Sequence, residues 1–382
     1  MAKGTTALDT PLREQLDRLA AFEPVDAPVL SLYLDMRPDQ HGRDRYDSFV
    51  RKALAERSRA LTGDARKSFE RDVERINAWL TGNVDASANA LAIFACAAAN
   101  DFFEAVQLNV PLEQHWLFVD AVPHLYPLAR LNDQYPRYAA LLVDTNAARL
   151  FVFGLGATEA QREVKNVKTR KSSMGGWSQA RYQRHLANFH LHHLKEVVDV
   201  LDRVVRDESI GKVIVACDPT TMPTLMEQMP KHLTEKVVDV VHLDINTPEH
   251  QVLTDTLEAM REHDADTDSE QVERLLGAWR SGGLGVVGPE DTLDALAKAQ
   301  VEELLITATP ALLQRAENVA PELQPGDVQV DTSAPAAESD RLKLADELVT
   351  RAQQQSARIR FIENPELLGE VGGVGAILRF KI

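Results

Sequence analysis

The chain has 382 residues, 44% of them hydrophobic and 26% charged, which supplies apolar material for two or three buried cores. Its formal net charge of −16 excludes a general binder of polyanions, so any contact with nucleic acid has to come from a local basic surface. The two cysteines, Cys96 and Cys217, lie in apolar runs, which favours buried thiols in a reducing cytoplasm over a disulfide framework.

The first third of the chain is predicted to be an α/β domain. Apolar periodicity indicates helices at 10–21 and within 43–80, and alternation indicates strands at 29–35, 91–96, 103–110 and 116–119. The domain is expected to end in a loop at 131–137. The longest apolar run, around 90–99, is too short for a membrane span, which needs about twenty residues, and the polar start lacks the apolar core of a secretory signal.

The middle third follows the order strand, strand, loop, helix, strand, helix, strand. Strands are predicted at 138–144, 148–153, 212–216 and 237–243, and a long helix from Ser178. Residues 161–177 are polar, basic and aperiodic, so they are predicted to form a mobile loop. Within the helix, His193 falls on the apolar row and is expected to be partly buried.

The last third is predicted to contain helices at 290–300 and 340–356 and strands at 301–307 and 358–362, after a helical stretch at 247–279. Residues 320–339 have the composition of a loop within the domain. Alternating strands and helices favour an α/β fold class throughout. We expect three α/β domains, at 1–134, 135–247 and 248–382.

Three motif-like patterns are not expected to bind ligands. Residues 283–288 fit G-x-G-x-x-G, but a helix rather than a strand is predicted before them, unlike a dinucleotide-binding turn. Asp264, Asp266 and Asp268 resemble the start of a calcium loop, yet the glycine and the closing glutamate are missing, so a solvated turn between helices is expected. A histidine cluster at 185–193 lacks any pair spaced four residues apart, so no metal or cofactor site is predicted.

The most informative segment is basic. Eight basic residues and a single acid lie between Arg162 and Lys195, giving a local charge of +7 and leaving −23 on the rest of the chain. This asymmetry indicates a local phosphate-binding site on a body that otherwise repels RNA, although a solvated loop is the plain alternative. Near its middle lie Gly175 and Gly176, which allow close backbone approach to a target, and Trp177, which could stack on a base.

Three motifs in chain order resemble the archaeo-eukaryotic class 1 release factors and the rescue factor Pelota. Gly175-Gly176 is followed by Arg181-Tyr182-Gln183-Arg184, similar to the family's Gly-Gly-Gln tip and Arg-aromatic-x-Arg helix. Residues 287–296 (VGPEDTLDAL) are similar to the family's Gly-x-Glu-Asp-Thr-Leu-x-Ala-Leu, and residues 372–380 (GGVGAILRF) to its closing strand. The resemblance covers about 138–382. It implies a ribosomal-protein-like C-terminal domain and a tip that enters the peptidyl-transferase centre.

Two departures from the family pattern bear on activity. Trp177 stands where the family has glutamine, and Gln179 follows two residues later. The stop-codon motifs of the family's N-terminal domain are absent. The resemblance implies a catalytic tip of Gly175, Gly176, Trp177 and Gln179. It also implies contacts with nucleic acid by a second set, namely Lys165, Lys168, Arg170, Lys171, Arg181 and Arg184.

The resemblance therefore implies a monomer that binds the ribosomal A site without reading a codon, against rRNA and P-site tRNA, with a translational GTPase as a further partner. Two outcomes are open. The chain either hydrolyses peptidyl-tRNA on stalled or split ribosomes, or occupies idle ribosomes as hibernation factors of the Balon type do. A ribosome-independent RNA-binding protein is a third interpretation, for which the sequence offers no separate set of site residues. Whether the chain is an enzyme stays open at this point.

Overall fold

The computed structural model describes residues 12–38, 46–155, 157–165, 178–314, 328–330 and 336–381, with the backbone alone at 164–165, 178–187, 328–330 and 336–339. Two compact units result. A terminal unit combines Met1–Gln134 with Thr267–Ile382, and a central unit comprises Tyr135–Asp266. The chain therefore returns to its first domain after completing the central one.

The helices of the described residues are, in chain order, α1 Leu12–Ala20, α2 Tyr46–Ala60, α3 Gly63–Gly82, α4 Tyr126–Gln134, α5 Ser178–Asp207, α6 Met222–Gln228, α7 Lys231–Thr234, α8 Glu249–Arg280, α9 Pro289–Ala297, α10 Ala336–Gln354 and α11 Glu366–Gly369, with a 3₁₀ turn at Pro310–Leu312. Within the ranges given above, none of these helices has both the length and the apolar character of a membrane span.

The strands are β1 Val29–Asp35, β2 Ala90–Cys96, β3 Phe102–Leu108, β4 Trp116–Asp120, β5 Tyr138–Val143, β6 Ala147–Gly154, β7 Ala157–Lys165, β8 Lys212–Cys217, β9 Val237–Val241, β10 Gly285–Val287, β11 Val301–Thr307, β12 Val328–Val330, β13 Arg358–Ile362 and β14 Val374–Leu378. They form three sheets, and the predicted mixed α/β fold class is confirmed.

In the terminal unit, the first sheet is antiparallel and has the strand order β12-β4-β1-β2-β3. Its strands alternate, so Leu30, Leu32 and Leu34 point to one face and pack against apolar side chains of α2 and α3. Tyr33 points to the other face, where its ring meets Phe94 and Phe118 edge to face. Both faces of β1 are buried, which explains its near-continuous apolar sequence.

The second sheet of the terminal unit has the order β10-β14-β11-β13, with β11 and β13 parallel. Two glycines let this sheet lie directly against α8. A Cβ atom on Gly285 would come within 2.7 Å of the Trp279 backbone nitrogen, and one on Gly375 within 2.7 Å of Leu275 Cδ2. Gly285 belongs to the G-x-G-x-x-G pattern, so that glycine serves helix-to-sheet packing.

The central unit is a five-stranded sheet of order β7-β6-β5-β8-β9 between helices. Strands β5, β8 and β9 are parallel, and β6 and β7 continue the sheet as an antiparallel hairpin. One face packs on α5 through residues such as Leu150 and Leu201. The other face packs on the first half of α8 through Phe151 and Met260. The core therefore has three layers.

Several local expectations differ from the structure. Helix α4 extends to Gln134, into the predicted loop at 131–137, and β7 occupies the first residues of the predicted loop at 161–177. Strand β12 lies inside the predicted loop at 320–339 and pairs with β4. The rest of the 161–177 loop, from residue 166, lies outside the described residues. Domain boundaries at 134/135 and 247/248 stay a prediction.

One buried acid in the terminal unit leads to a prediction. Asp72 on α3 is fully buried, and this burial raises its pKa to about 6, against smaller lowering effects from the Ala97 backbone and from Arg75. Because the pKa is raised on folding, wild-type stability decreases as pH rises from about 4 to 6. Asp72→Asn removes this penalty. We expect it to stabilise the protein by up to about 3 kcal/mol at pH 7.5 and to have little effect at pH 4.

Urea unfolding at both pH values measures this difference. Glu74→Gln is the matched control, since Glu74 lies on the same helix with an exposed side chain. An Asp72→Asn variant that is less stable than wild type at pH 7.5 would contradict the assignment of a desolvation penalty to this carboxyl group.

Candidate functional site

The β6–β7 hairpin fixes where the first residues of the basic segment lie. Lys165, the last residue of β7, pairs with Ala147, the first residue of β6. This end of the sheet also holds the carboxyl ends of the parallel strands β5 and β8, because Val143 pairs with Cys217. The carboxyl ends of parallel strands are where ligands of open α/β sheets usually bind.

Helix α5 returns the chain to the same end of the sheet. Among its side chains that the structure describes, burial begins at His193 and continues through Leu194, Val197 and Leu201. Side chains 188–192, one turn earlier, are exposed or only half-buried. Fifteen residues of helix, from Ser178 to His192, therefore precede the packed part, a length of about 22 Å. The helix extends well beyond the sheet.

His193 marks the position where α5 meets the sheet. It is fully buried, whereas its place on the apolar row predicts partial burial, and its surroundings include the backbone of Ala147 and the carboxylate of Asp144. Burial lowers the pKa of His193, although a hydrogen bond to the Ala147 backbone and the Asp144 charge act in the opposite direction. A neutral His193 thus anchors the helix beside the first residue of β6.

The structure places the two ends of the predicted site but not its tip. Lys165 ends β7, and Gln179, Arg181 and Arg184 lie in the first two turns of α5, where only the backbone is described. The other predicted site residues lie outside the described residues, namely Lys168, Arg170, Lys171, Gly175, Gly176 and Trp177. Their roles stay predictions.

Acidic residues at this end of the sheet shape its turns. Asp144 Oδ1 accepts hydrogen bonds from the backbone nitrogens of Asn146 and Ala147, each at 2.6 Å, and closes the β5–β6 turn. Asp218 accepts one from Thr220 N at 2.9 Å after β8. Hydrogen bonds from the Thr220 backbone and hydroxyl hold the pKa of Asp218 below its usual value. Each carboxylate therefore stabilises its own loop as an Asx turn.

Two other arginines of the central unit are engaged within it. Arg137 donates to Glu159 Oε2 at 2.5 Å and to Glu208 Oε2 at 2.7 Å. Arg149 donates to the carbonyl oxygens of Ile245 and Thr247, at 3.0 and 2.6 Å. Arg137, just before β5, thus contacts β7 and the residue after α5, and Arg149 on β6 holds the loop before α8, so both are structural.

The acidic triplet differs from its prediction. Asp264, Asp266 and Asp268 lie within the continuous helix α8, so the expected turn between helices is wrong. The charges are compensated across the fold: Asp264 pairs with Lys212, and Asp268 accepts from Arg360 Nη1 at 3.0 Å. Over the described part of the chain, no three histidine, cysteine or acidic side chains converge as a metal site would require.

Comparison with known proteins finds one family model that matches the middle of the chain. Residues 123–261, which span α4 to the first half of α8, match the family model of bacterial archaeo-eukaryotic release factor family 10. Over this stretch the chain is similar to the bacterial archaeo-eukaryotic release factors. The matched region contains the β6–β7 hairpin and the whole of α5.

Solved structures of translation factors are similar to the chain at low identity. Archaeal translation termination factor aRF1 is 16% identical over 97% of both chains, with a TM-score of 0.27. Dom34 of S. cerevisiae is 9% identical over 77% of this chain and 79% of its own, with a TM-score of 0.43. Archaeoglobus fulgidus Pelota is 13% identical over 77% and 80%, with a TM-score of 0.32. No curated protein matches the chain.

One feature of the central unit does not emerge from the residue counts along the chain. Asn188, His192 and Lys195 are exposed on α5 and follow one another at helical spacing, on the side away from the buried Leu194 and Leu201. The spacing alone could have identified this row. A count of charges along the chain does not show it, because the row depends on the position of each residue around the helix.

Proposed function

We propose that this release-factor homologue binds the ribosomal A site and acts in translation without reading a codon. The observation that carries the proposal is that the basic residues are concentrated at one end of the central sheet of an acidic chain. The two described ends of the +7 segment, the last residues of β7 and the first turns of α5, lie at the same end of the sheet, while the rest of the chain carries −23. An acidic body repels RNA, so the protein would approach rRNA with this segment first.

In this proposal, the segment from Lys165 to Gln179 reaches toward the CCA end of the P-site tRNA. Gly175 and Gly176 permit close backbone approach, because no Cβ atom intervenes. Lys168, Arg170, Lys171, Arg181 and Arg184 bind rRNA phosphates. The C-terminal domain would contact the ribosomal stalk base or a translational GTPase, as the resemblance to the release-factor family implies.

The proposed reaction is hydrolysis of the peptidyl-tRNA ester on stalled or split ribosomes. Water attacks the ester carbonyl, the bond to the tRNA 3′ oxygen breaks, and the released oxygen takes a proton. The backbone N–H of Trp177 can donate to the developing oxyanion, and such a donor contributes about 10²–10³ in rate. Gln179 is the side chain available to position the water.

A second candidate function is occupation of idle ribosomes without hydrolysis. It is favoured by Trp177, which stands where the release factors carry the glutamine of their Gly-Gly-Gln tip. An indole ring cannot accept a hydrogen bond from water as a glutamine carbonyl can. If the water site depends on that carbonyl, A-site binding would remain and release would be lost.

A release assay on stalled 70S complexes and on 50S subunits carrying peptidyl-tRNA tests both candidates. For hydrolysis, we expect peptide release that decreases at least about a hundredfold in Gly176→Ala and Gln179→Ala. Gln161→Ala is the control, because Gln161 is exposed on β7 in the same unit. Tight A-site binding with no release would select occupation. Binding to free structured RNA as strongly as to ribosomes would refute both in favour of a ribosome-independent RNA-binding protein.

A further inference from the structure

The charge of helix α5 changes sign where the helix meets the sheet. Residues 178–195 contain three basic residues and no acid, whereas residues 196–208 contain five acids and two basic residues. This change of charge falls within one turn of His193, the first buried side chain among those of α5 that the structure describes. The acid-free half is thus the half that extends from the sheet, and the acidic half is the one that packs.

The extended half presents one continuous polar row. Lys195, His192 and Asn188 are exposed and lie at spacings of three and four residues. Positions 184 and 181, both arginine, continue the same row toward the Gly-Gly segment. The row covers about 21 Å of helix, at 1.5 Å per residue. All its members are hydrogen-bond donors, and none is an acid that would repel a phosphate.

We infer that the outward face of α5 is a second RNA-binding surface, in which Asn188, His192 and Lys195 contact the phosphate backbone of rRNA. The inference rests on the proposed function and extends its contact surface beyond the loop and the two arginines. Helix α5 would then lie along an rRNA strand, from its first turn to the turn in which it reaches the sheet. The acids from Glu196 onward would limit the contact at that point.

The chain offers a matched control for this surface. Arg203 is exposed on the same outward side of α5, eight residues after Lys195, or about 12 Å further along the helix. It carries the same charge as Lys195 but lies in the packed, acidic half. Lys195→Glu and Arg203→Glu therefore change the net charge equally, and only the first alters the proposed surface.

Binding of the full-length protein to vacant 70S ribosomes is measured over a range of salt concentrations. We expect Lys195→Glu to weaken binding about five- to tenfold and to reduce the log–log salt slope by about one, with a similar effect for Asn188→Glu. Arg203→Glu is expected to leave both values unchanged. Circular dichroism checks that each exposed substitution leaves the helix folded.

Each of the other outcomes contradicts a specific part of the proposal. If Lys195→Glu and Arg203→Glu weaken binding equally, the effect follows net charge alone and α5 has no specific contact surface. No effect of Lys195→Glu, while neutralising Lys168, Arg170 and Lys171 abolishes binding, would refute the second surface alone. If the loop variant also binds normally, the proposed function itself fails. An effect seen only with P-site tRNA present would assign the contact to tRNA and refute a contact with rRNA.

Discussion

Replacing Asp346 by alanine is expected to lower the free energy of unfolding of the terminal unit by about 3–5 kcal/mol. Asp346 lies on α10 and is 5% exposed. Its Oδ1 atom accepts hydrogen bonds from Leu125 N at 2.7 Å and Tyr126 N at 2.9 Å, at the start of α4. The carboxylate therefore caps a helix that begins more than 200 residues earlier in the chain.

The same carboxylate also stabilises the positive charge of a buried histidine, His124. His124 is 4% exposed, and its ring stacks on Phe118 with centroids 4.3 Å apart. Its Nδ1 atom lies 3.1 Å from Asp346 Oδ2, and its Nε2 atom lies 3.4 Å from Asp120 Oδ2. Removing Asp346 leaves His124 with one weaker partner. It also leaves the first backbone N–H groups of α4 without their acceptor in an apolar interior. Both losses act in the same direction.

This ion pair also predicts a pH dependence. Burial alone would lower the pKa of His124, but the charges and hydrogen bonds of Asp346 and Asp120 raise it to about 9. A raised pKa in the folded state stabilises the protein fully below the unfolded value, near 6.5, and this stabilisation is lost as pH rises through 9. Wild-type protein should lose roughly 3 kcal/mol between pH 6.5 and pH 10 through this group.

Denaturant unfolding followed by tryptophan fluorescence reports mainly on this unit, because Trp79, Trp116 and Trp279 belong to it. Asp340→Ala is the control, since Asp340 lies on the same helix with an exposed side chain. Asp346→Ala should also flatten the decrease between pH 6.5 and 10. Equal stability of the two variants would show that the contact between α10 and α4 contributes little to folding.

The largest functional effect is expected from neutralising the basic loop. Changing Lys168, Arg170 and Lys171 together to serine should weaken binding to 70S ribosomes at least about a hundredfold. Each charge-assisted contact with a phosphate contributes about 1.5–3 kcal/mol, and the three losses should reduce the log–log salt slope by about two to three. Binding is measured by co-sedimentation over a range of salt concentrations.

The control replaces three exposed basic residues of the same unit, Arg203, Arg206 and Lys231, and so makes the same change in net charge. These residues lie on the packed half of α5 and on α7. The control should bind ribosomes as wild type does. If both triple variants lose affinity equally, binding follows net charge and the loop has no specific role.

The helices and strands that hydrophobic periodicity predicted correctly are those whose buried face follows from the pattern of their own residues. Strand β1 has the predicted bounds, and α5 begins at the predicted Ser178, because each carries its own apolar pattern. The charge contrast between the basic segment and the acidic remainder is likewise a property of composition, and it led to the release-factor resemblance that the family model bears out.

Other features depend on partners that lie far away in the chain. Strand β7 is polar and exists because β6 supplies its hydrogen bonds, and β12 is three residues paired with β4. The triplet at 264–268 continues a helix because Lys212 and Arg360 compensate its charges. Asp346 caps α4 across more than 200 residues. Hydrophobic periodicity is local, whereas strand pairing, capping and charge compensation act between surfaces that meet only in the folded chain.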